Sequence, residues 1–141
     1  LFSNGTPIRK HWRKHLNGEQ AYLGIFNEEG VLQEPIGEWD DAGNQIRSYF
    51  LANGKPQGLF TEWFSNGTIK AEYNYATGEH EGEQKEYYPS GQIKVRSHYK
   101  EGKLNGLYEE WHENGLLARK IQFANGLKDG VSAEWFLRKM T

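Results

Sequence analysis

The sequence has no cysteine, one methionine and four prolines among its 141 residues. The lack of cysteine excludes disulfide bonds, thiolate nucleophiles and cysteine-based zinc sites. No apolar run approaches the length of a transmembrane helix, and hydrophobic residues make up only 36% of the chain. The net charge of −2 gives no basis for bulk binding to nucleic acid. Composition therefore predicts a thin fold rather than one with a thick globular core.

Aromatic residues and glycine are abundant instead. Aromatics make up 14% of the chain, which separates it from disordered sequences, and its 17 glycines follow a period. A glutamate followed by an aromatic residue recurs every 24 residues. A fixed period of this length indicates tandem repeats that contact mainly their neighbours. The pairs are Glu38-Trp39, Glu62-Trp63, Glu86-Tyr87, Glu110-Trp111 and Glu134-Trp135.

The repeats divide the chain into segments of one predicted domain, residues 1–141. The C-terminal residues 130–141 form a half-repeat cap, because the turn expected after Phe136 is replaced by Arg138-Lys139. The preceding segments are irregular N-terminal hairpins at 1–36, a partial repeat at 37–57, and full repeats at 58–81, 82–105 and 106–129.

Each repeat reads as a β-hairpin followed by a second tight turn. In the second strand of a repeat, apolar and polar residues alternate with period 2, which is typical of a β-strand. Pro89-Ser90-Gly91 predicts a type I turn with glycine in the left-handed bulge position. We therefore expect an all-β fold, an elongated single-layer antiparallel meander of tandem β-hairpins. Continuing that register pairs Glu62 with Lys70, Glu86 with Lys94 and Glu110 with Ala118.

The same register predicts two different faces of the sheet. One is apolar and carries Leu59, Trp63, Ile69, Tyr73, Tyr75, Tyr87, Ile93, Val95, Tyr99, Leu107, Trp111, Leu117, Ile121, Phe123, Val131 and Trp135. The other carries the glutamates with a second aromatic row. We take it as the candidate binding face: Phe60, Glu62, Phe64, Glu86, Tyr88, Tyr108, Glu110, His112 and Phe136.

Charge is unevenly distributed near the N-terminus. Residues 1–18 carry four basic residues and no acid, whereas 19–46 carry seven acids and no Lys or Arg. Either adjacent strands neutralise each other across the sheet, or the acids form a recognition surface. The candidate acidic surface comprises Glu28, Glu29, Glu34, Asp40 and Asp41.

The sequence gives no support for catalysis. His11 and His15 would share a strand face and could bind a metal, but no third ligand lies nearby in the sequence. The regular spacing of Glu62, Glu86 and Glu110 favours a structural ladder over a pair of catalytic carboxylates. We therefore predict a protein that is not an enzyme and has no catalytic residue, metal site or cofactor.

The repeat pattern resembles the bacterial MORN-variant repeat family. The motif is Gly-x-x-x-Glu-(Trp/Tyr)-(aromatic)-x-Asn-Gly-x-(Ile/Leu)-Lys, and it runs in phase from Gly58 to Phe136. Ser90 replaces the turn Asn and Ala118 replaces the Lys. The resemblance implies a MORN-like repeat solenoid, and members of this family are described as antitoxins of toxin–antitoxin pairs. Related repeats accompany lipid-kinase domains, but this chain has no nucleotide-binding or catalytic-loop motif.

The favoured function is a non-catalytic module that binds another protein, for example an antitoxin that neutralises its partner. One alternative is cell-surface or carbohydrate binding through the aromatic row. A second is peripheral membrane association, which needs a basic patch that only residues 9–14 supply. A homodimer by edge pairing or face stacking is compatible with the sequence. The chain begins at Leu1 within a repeat element, so its N-terminus reads as trimmed, and a cytoplasmic or an exported location fits equally.

Overall fold

The computed structural model describes residues 2–3, 6–130 and 133–134, which form a single antiparallel sheet. Within these ranges no helix is long and apolar enough to cross a membrane. The strands are β1 Phe2–Ser3, β2 Thr6–Lys14, β3 Gln20–Asn27, β4 Ile36–Trp39, β5 Gln45–Ala52, β6 Lys55–Trp63, β7 Ile69–Ala76, β8 Glu79–His80, β9 Gly82–Tyr87, β10 Ile93–Lys100, β11 Lys103–Leu104, β12 Gly106–Trp111, β13 Leu117–Ala124, β14 Leu127–Lys128 and β15 Ala133–Glu134.

Strands that follow one another in the chain also lie side by side in the sheet. The order β1 to β7, then β9, β10, β12, β13 and β14, has no crossover. The short strands β8 and β11 pair with the end of the preceding long strand, and β9 and β12 continue along it. This arrangement confirms the predicted all-β single-layer meander.

The turn inside each repeat has the predicted geometry. In the second full repeat, the Gly91 N–H donates to the Tyr88 carbonyl and the Tyr88 N–H donates to the Gln92 carbonyl, both at 2.8 Å. Gly91 has a φ of 94°, which only glycine adopts without strain. The equivalent bonds join Phe64 to Gly67 and Thr68. The type I turn with a glycine bulge is therefore confirmed.

The turn between repeats is a two-residue turn in which both central residues have positive φ. This is the type I′ turn, whose twist matches that of the flanking strands. Each turn also contacts the next, because the Gly78 N–H donates to the Pro56 carbonyl at 3.1 Å and the Gly102 N–H to the His80 carbonyl at 3.1 Å. The four turns are Asn53-Gly54, Thr77-Gly78, Glu101-Gly102 and Asn125-Gly126.

A β-bulge in the second strand of each repeat changes the predicted register. Tyr87 pairs with Ile93 as expected, but Glu86 pairs with Val95 because Lys94 is the extra residue. The predicted pairing of Glu86 with Lys94 is therefore wrong. The pairings of Glu62 with Lys70 and Glu110 with Ala118 are wrong for the same reason, since the partners are Ala71 and Arg119 respectively.

The bulge also corrects the assignment of faces. It moves the rest of each second strand to the side of the glutamates, so Tyr73 and Tyr75 lie with Phe60 and Glu62. Tyr87 lies on the other side, where its hydroxyl donates to Glu72 at 2.7 Å. The glutamates and the first-strand rings Phe60 and Tyr108 share a face as predicted, but the prediction that the second-strand rings lie on a separate apolar face is wrong. The residues that change sides are Tyr73, Tyr75, Val95, Tyr99, Ile121 and Phe123.

The sheet has little fully buried apolar volume. Among the residues whose side chains are described, the buried hydrophobic ones are Ala21, Ile36, Ala71 and Ile121. Gln84 and Ser97 are also buried, at 3% and 4% exposure. Most other side chains are half-buried by neighbours on the same face. Cohesion therefore depends on contacts between rows of side chains and on backbone hydrogen bonds.

Candidate functional site: a face of rings and glutamates

Rings and carboxylates share one face of the sheet, which we call the ring–glutamate face. The strands β4 to β13 place its members in rows, because residues two apart on a strand share a side. Its central residues are Tyr49, Phe60, Glu62, Tyr73, Tyr75, Glu86, Tyr99, Tyr108, Glu110 and Phe123.

Many rings on this face cover one another. Tyr49 and Phe60 stack with centroids 4.8 Å apart and planes 10° apart. Phe60 meets Tyr75 edge-on at 6.0 Å, and Tyr108 meets Phe123 edge-on at 6.1 Å. Such pairs contribute about 0.5–1.5 kcal/mol each beyond area burial. These ring contacts therefore stabilise the sheet across strand boundaries.

The outer glutamates have basic partners that the sequence did not reveal. Arg47 lies 3.8 Å from Glu38 and 4.0 Å from Glu62. Arg119 lies 3.6 Å from Glu110, which corrects the expectation that Glu110 has no cationic partner. Because both arginine side chains are more than 40% exposed, each pair contributes at most about 1 kcal/mol.

Glu86 differs from these glutamates. Its partners on the two neighbouring strands are Ala71 and Val95, the positions equivalent to Arg47 and Arg119. The Tyr73 hydroxyl donates to its Oε1 at 2.6 Å. No basic side chain forms an ion pair with Glu86 in the part of the chain that the structure describes. Glu86 is therefore a half-buried carboxylate held by a tyrosine.

These contacts raise the pKa of the tyrosines. Burial, followed by the hydrogen bond to Glu86, raises the pKa of Tyr73. Burial and the hydrogen bond to Glu110 raise the pKa of Tyr108, and burial and Glu38 do the same for Tyr49. On the other face, burial and then the hydrogen bond to Glu72 raise the pKa of Tyr87 to about 12. All four tyrosines are therefore neutral donors at physiological pH.

A pocket opens in the middle of the ring–glutamate face, which we call the ring pocket. Its volume is about 390 Å³. Two adjoining depressions of about 370 and 260 Å³ extend toward the turn inside the repeat, and Glu86 lines all three. The residues that line the ring pocket are Tyr73, Tyr75, His80, Gln84, Glu86, Val95, Ser97, Tyr99 and Tyr108.

His80 and Gln84 organise this pocket. The His80 ring lies 4.6 Å from Tyr75, 5.0 Å from Tyr99 and 5.5 Å from Tyr73. Its Nδ1 lies 3.1 Å from Gln84 Oε1. That oxygen also accepts the Asn74 N–H at 2.8 Å, while Gln84 Nε2 donates to the Asn74 carbonyl at 2.9 Å. The Gln84 amide thus bonds to both backbone groups of Asn74, as a neighbouring strand would.

The predicted residues near the turns lie beside the two depressions. Phe64 has the Lys70 ammonium 5.8 Å from its ring centroid, and Tyr88 has the Lys94 ammonium at 5.7 Å. The Tyr88 hydroxyl also donates to the Trp111 carbonyl at 2.7 Å. His112 begins the equivalent turn of the next repeat. Phe136, Val131 and Trp135 lie outside the described residues.

The five predicted acidic residues do not form one cluster. Glu28 and Glu29 lie in the turn after β3, and Glu34 lies before β4, whereas Asp40 and Asp41 lie in the turn after β4. In a meander, successive turns lie at opposite ends of the strands, so these two groups of acids are separated by strand β4. Hydrogen bonds from the Asn44 backbone, above all, lower the pKa of Asp40, so this carboxylate serves its own turn.

The basic residues of β2 are not neutralised by direct ion pairs. Arg9, Lys10, Arg13 and Lys14 are exposed, and no ion pair joins them to the acids of 19–46 within the described ranges. Any neutralisation between these adjacent strands therefore acts across the sheet without direct ion pairs in the described ranges. Trp12, between them, is 63% exposed and opposes Leu23.

The two N-terminal histidines contact different groups. His11 packs against the Phe26 ring at 4.9 Å, while His15 lies in the turn after β2, with Nε2 2.8 Å from the Trp39 carbonyl oxygen. Across residues 2–3, 6–130 and 133–134, no three His, Asp or Glu side chains form a group that could hold a metal ion.

The pocket was not predicted from the sequence, because the predicted register placed Tyr73, Tyr75 and Tyr99 on the opposite face. One signal was nevertheless present. Gln84 and Ser97 break the pattern of the neighbouring repeats at positions on this face, and both line the pocket.

Comparison with known families agrees with the period. Residues 56–76, 81–101 and 104–125 each match the model of the family described as MORN repeat variant. The three matches are consecutive and correspond to the full repeats of the sheet. No curated protein matches the chain.

Proposed function

Because the chain belongs to the MORN repeat variant family, whose repeats are non-catalytic modules for protein or membrane interaction, we propose that it binds a partner protein through the ring–glutamate face. Antitoxin-like neutralisation of that partner is one instance of this role. The proposal goes beyond the family assignment in naming the face.

One observation carries the proposal. Three depressions, of about 390, 370 and 260 Å³, adjoin one another across three repeats and share Glu86 in their lining, and we call them together the groove. The groove combines aromatic side chains with a row of carboxylates, and aromatic residues are enriched at the centres of protein interfaces. On the opposite face of these repeats, the depression between Leu59 and Lys85 measures about 70 Å³. A partner would therefore find its anchoring pockets on the glutamate side.

The test uses matched surface variants in binding assays with the products of neighbouring genes. Phe64→Ala and Tyr88→Ala together remove two rings from the groove, whereas Leu59→Ala and Leu127→Ala remove side chains that are 48% and 74% exposed. We expect the first pair to weaken binding at least about tenfold and the second pair to leave it unchanged. Equal losses in both pairs, or binding by neither the wild type nor any variant, would count against the proposal.

A membrane surface is a second candidate, favoured by a different part of the sheet. Trp12 is 63% exposed beside Lys10 and Lys14, and the Lys14 ammonium lies 5.6 Å from its ring. Exposed tryptophan beside lysine is typical of side chains that settle at a lipid interface. Sedimentation with anionic vesicles tests this candidate. It requires binding that falls with salt and with Trp12→Ala.

Carbohydrate binding is a weaker proposal. Tyr49 and Phe60, two rings of this face, stack on each other, so the ring faces turned toward one another are not open to a sugar. A glycan array with Phe64→Ala and Tyr88→Ala as controls tests it. Binding that is insensitive to both changes removes the aromatic row from consideration.

A further inference from the structure

The second full repeat breaks the side-chain pattern of its neighbours at position 84. The equivalent positions in the adjacent repeats carry rings, Phe60 and Tyr108, whereas this repeat has Gln84. Gln84 turns its amide to the backbone of Asn74 and leaves no ring over the face. The row of rings is therefore interrupted at this point.

The same repeat breaks the pattern again at position 97. The adjacent repeats have Tyr73 and Ile121 there, whereas this repeat has a buried serine, Ser97. Together the two substitutions remove two bulky groups from neighbouring strands, since Gln84 and Ser97 are paired in the register of β9 and β10. The ring pocket occupies the space that these groups would fill, and the rings of the flanking repeats form its walls.

The pocket has the chemistry of a cation site. Its carboxylate, Glu86, uses Oε1 to accept the Tyr73 hydroxyl, and no described residue bonds to Oε2. Its walls are the rings of Tyr73, Tyr75, His80, Tyr99 and Tyr108, and its lining contains no Lys or Arg. A positive charge within about 6 Å of a ring face is attracted by the ring electrons, and the carboxylate adds to this attraction. A neutral or anionic ligand would gain neither interaction.

The chain itself uses the same packing with lysine. Three lysine ammonium groups lie over aromatic rings: those of Lys14, Lys70 and Lys94, at 5.6, 5.8 and 5.7 Å from the ring centroids. Lys94 borders the depressions next to Glu86, but its ammonium lies over Tyr88 and forms no ion pair with Glu86. The ring pocket thus offers a site of this kind that no lysine of the described chain occupies.

We propose that the ring pocket binds the ammonium group of a lysine side chain of the partner protein, with its alkyl stem against the rings and its charge at Glu86. This proposal rests on the protein-binding function proposed above for the same face. Lysine fits better than arginine because one oxygen of Glu86 is already bonded, so the two-point fork of a guanidinium has less to accept it. A choline lipid fits less well, because its phosphate would meet a lining with no Lys or Arg.

A short peptide probes the pocket without the partner. Acetyl-Gly-Lys-Gly-amide is titrated into the ¹⁵N-labelled chain while the amide signals of Glu86, Ser97 and Tyr99 are followed. The norleucine peptide, which keeps the alkyl stem but lacks the ammonium group, serves as its control. We expect saturable shifts with the lysine peptide at millimolar concentration, and at least about tenfold weaker binding of the norleucine peptide.

Three variants locate the binding. Glu86→Gln removes the charge but keeps an oxygen for the Tyr73 hydroxyl, and should weaken lysine binding about tenfold. Ser97→Tyr restores the ring that Tyr73 supplies in the adjacent repeat and should abolish binding by filling the pocket. Glu72→Gln makes the same change as Glu86→Gln but on the opposite face, where Glu72 accepts the Tyr87 hydroxyl at 2.7 Å, and should change the affinity less than twofold. Circular dichroism confirms that each variant keeps its sheet.

Several results would overturn the proposal. They are the absence of shifts at about 20 mM lysine peptide, equal binding of the norleucine peptide, and unchanged binding by folded Glu86→Gln. Binding to phosphatidylcholine vesicles that Ser97→Tyr abolishes, without lysine binding, would replace lysine by a choline head group. Because the peptide assay needs no partner, its failure leaves the gene-neighbour test standing. Failure of that test likewise leaves the peptide result intact.

Discussion

At the scale of single residues, the turns between repeats differ in how well their sequence suits them. Each has two successive residues with positive φ, and Asn-Gly is the preferred pair for that geometry. Asn53 and Asn125 follow this preference, whereas Thr77, with a φ of 50°, does not. A β-branched residue in the left-handed region is strained, so this turn is not optimal for stability.

We therefore predict that Thr77→Asn stabilises the fold by about 1 kcal/mol, because it removes the strain of a β-branched residue at positive φ. The bond from the backbone N–H of residue 77 to Gln57 remains. Urea denaturation measures the change in the free energy of unfolding. Asn53→Thr is the matched control and should destabilise the equivalent turn by a similar amount. If Thr77→Asn leaves the free energy of unfolding unchanged or lowers it, Thr77 is not a source of strain in this turn.

A second residue-scale prediction concerns the buried amide of Gln84. Gln84→Leu keeps the size of the side chain but leaves the Asn74 N–H without its acceptor. An unpaired buried donor costs about 1–3 kcal/mol, and we expect that loss in thermal or urea unfolding. Gln57, on strand β6, accepts the Thr77 N–H in the same way but is exposed to water. Gln57→Leu should therefore cost less than about half as much, and equal losses would argue against the role of burial.

At the scale of strands and turns, the sequence predicted the period, both hairpin turns and the pairing next to the turn. Glycine, asparagine and proline determine those features locally, because few residues adopt positive φ. It did not predict the bulges. The extra residues are lysine in two repeats, Lys70 and Lys94, and alanine in the third, Ala118, and neither type marks an extra residue in a strand. One inserted residue reverses every later side chain, so a correct turn still led to a wrong face.

The bulges also explain why the candidate site was predicted only in part. Phe60, Glu62, Glu86, Tyr108 and Glu110 share a face as expected, because all belong to first strands, which precede the bulge. The tyrosines of the second strands follow the bulge and were misplaced. The arginine partners of the glutamates and the hydrogen bonds of Gln84 depend on the strand register. The register predicted from the residue pattern was wrong by one residue beyond each bulge.

Strand β4 provides a test at this scale. A Cβ added at Gly37 would lie 2.4 Å from the ring of Trp39, so the ring must move. We expect Gly37→Ala to lower the free energy of unfolding by about 1–3 kcal/mol through overpacking. A double-mutant cycle with Trp39→Leu serves as the control. If the ring causes the loss, Gly37→Ala should cost much less in the Trp39→Leu background, and an equal cost in both would contradict this cause.

At the scale of the whole molecule, tyrosine hydroxyls are a common means of holding the sheet together. Six tyrosines have a raised pKa because burial, in most cases with a nearby glutamate, disfavours the phenolate: Tyr49, Tyr73, Tyr75, Tyr87, Tyr88 and Tyr108. They occur on both faces and in each full repeat. Their protonation is therefore linked to the stability of the chain as a whole.

This linkage predicts that stability is constant with respect to tyrosine below pH 10 and falls above it. Above pH 10 the unfolded chain loses phenolic protons that the folded chain retains, so unfolding becomes more favourable up to the folded pKa values. For Tyr87 that range ends near pH 12. Urea midpoints measured from pH 8 to about 11.5 test the prediction, with Tyr73→Phe as a control that should reduce the slope. A midpoint independent of pH in this range would contradict it.

The sequential order of the strands also determines how the sheet responds to force. In a meander each strand runs across the long axis and is hydrogen-bonded mainly to its chain neighbours. A load applied between β2 and β13 therefore pulls at right angles to the strands. It opens hydrogen bonds one after another rather than all together. The sheet would therefore unfold at low force, one hairpin at a time, although many hydrogen bonds hold each repeat.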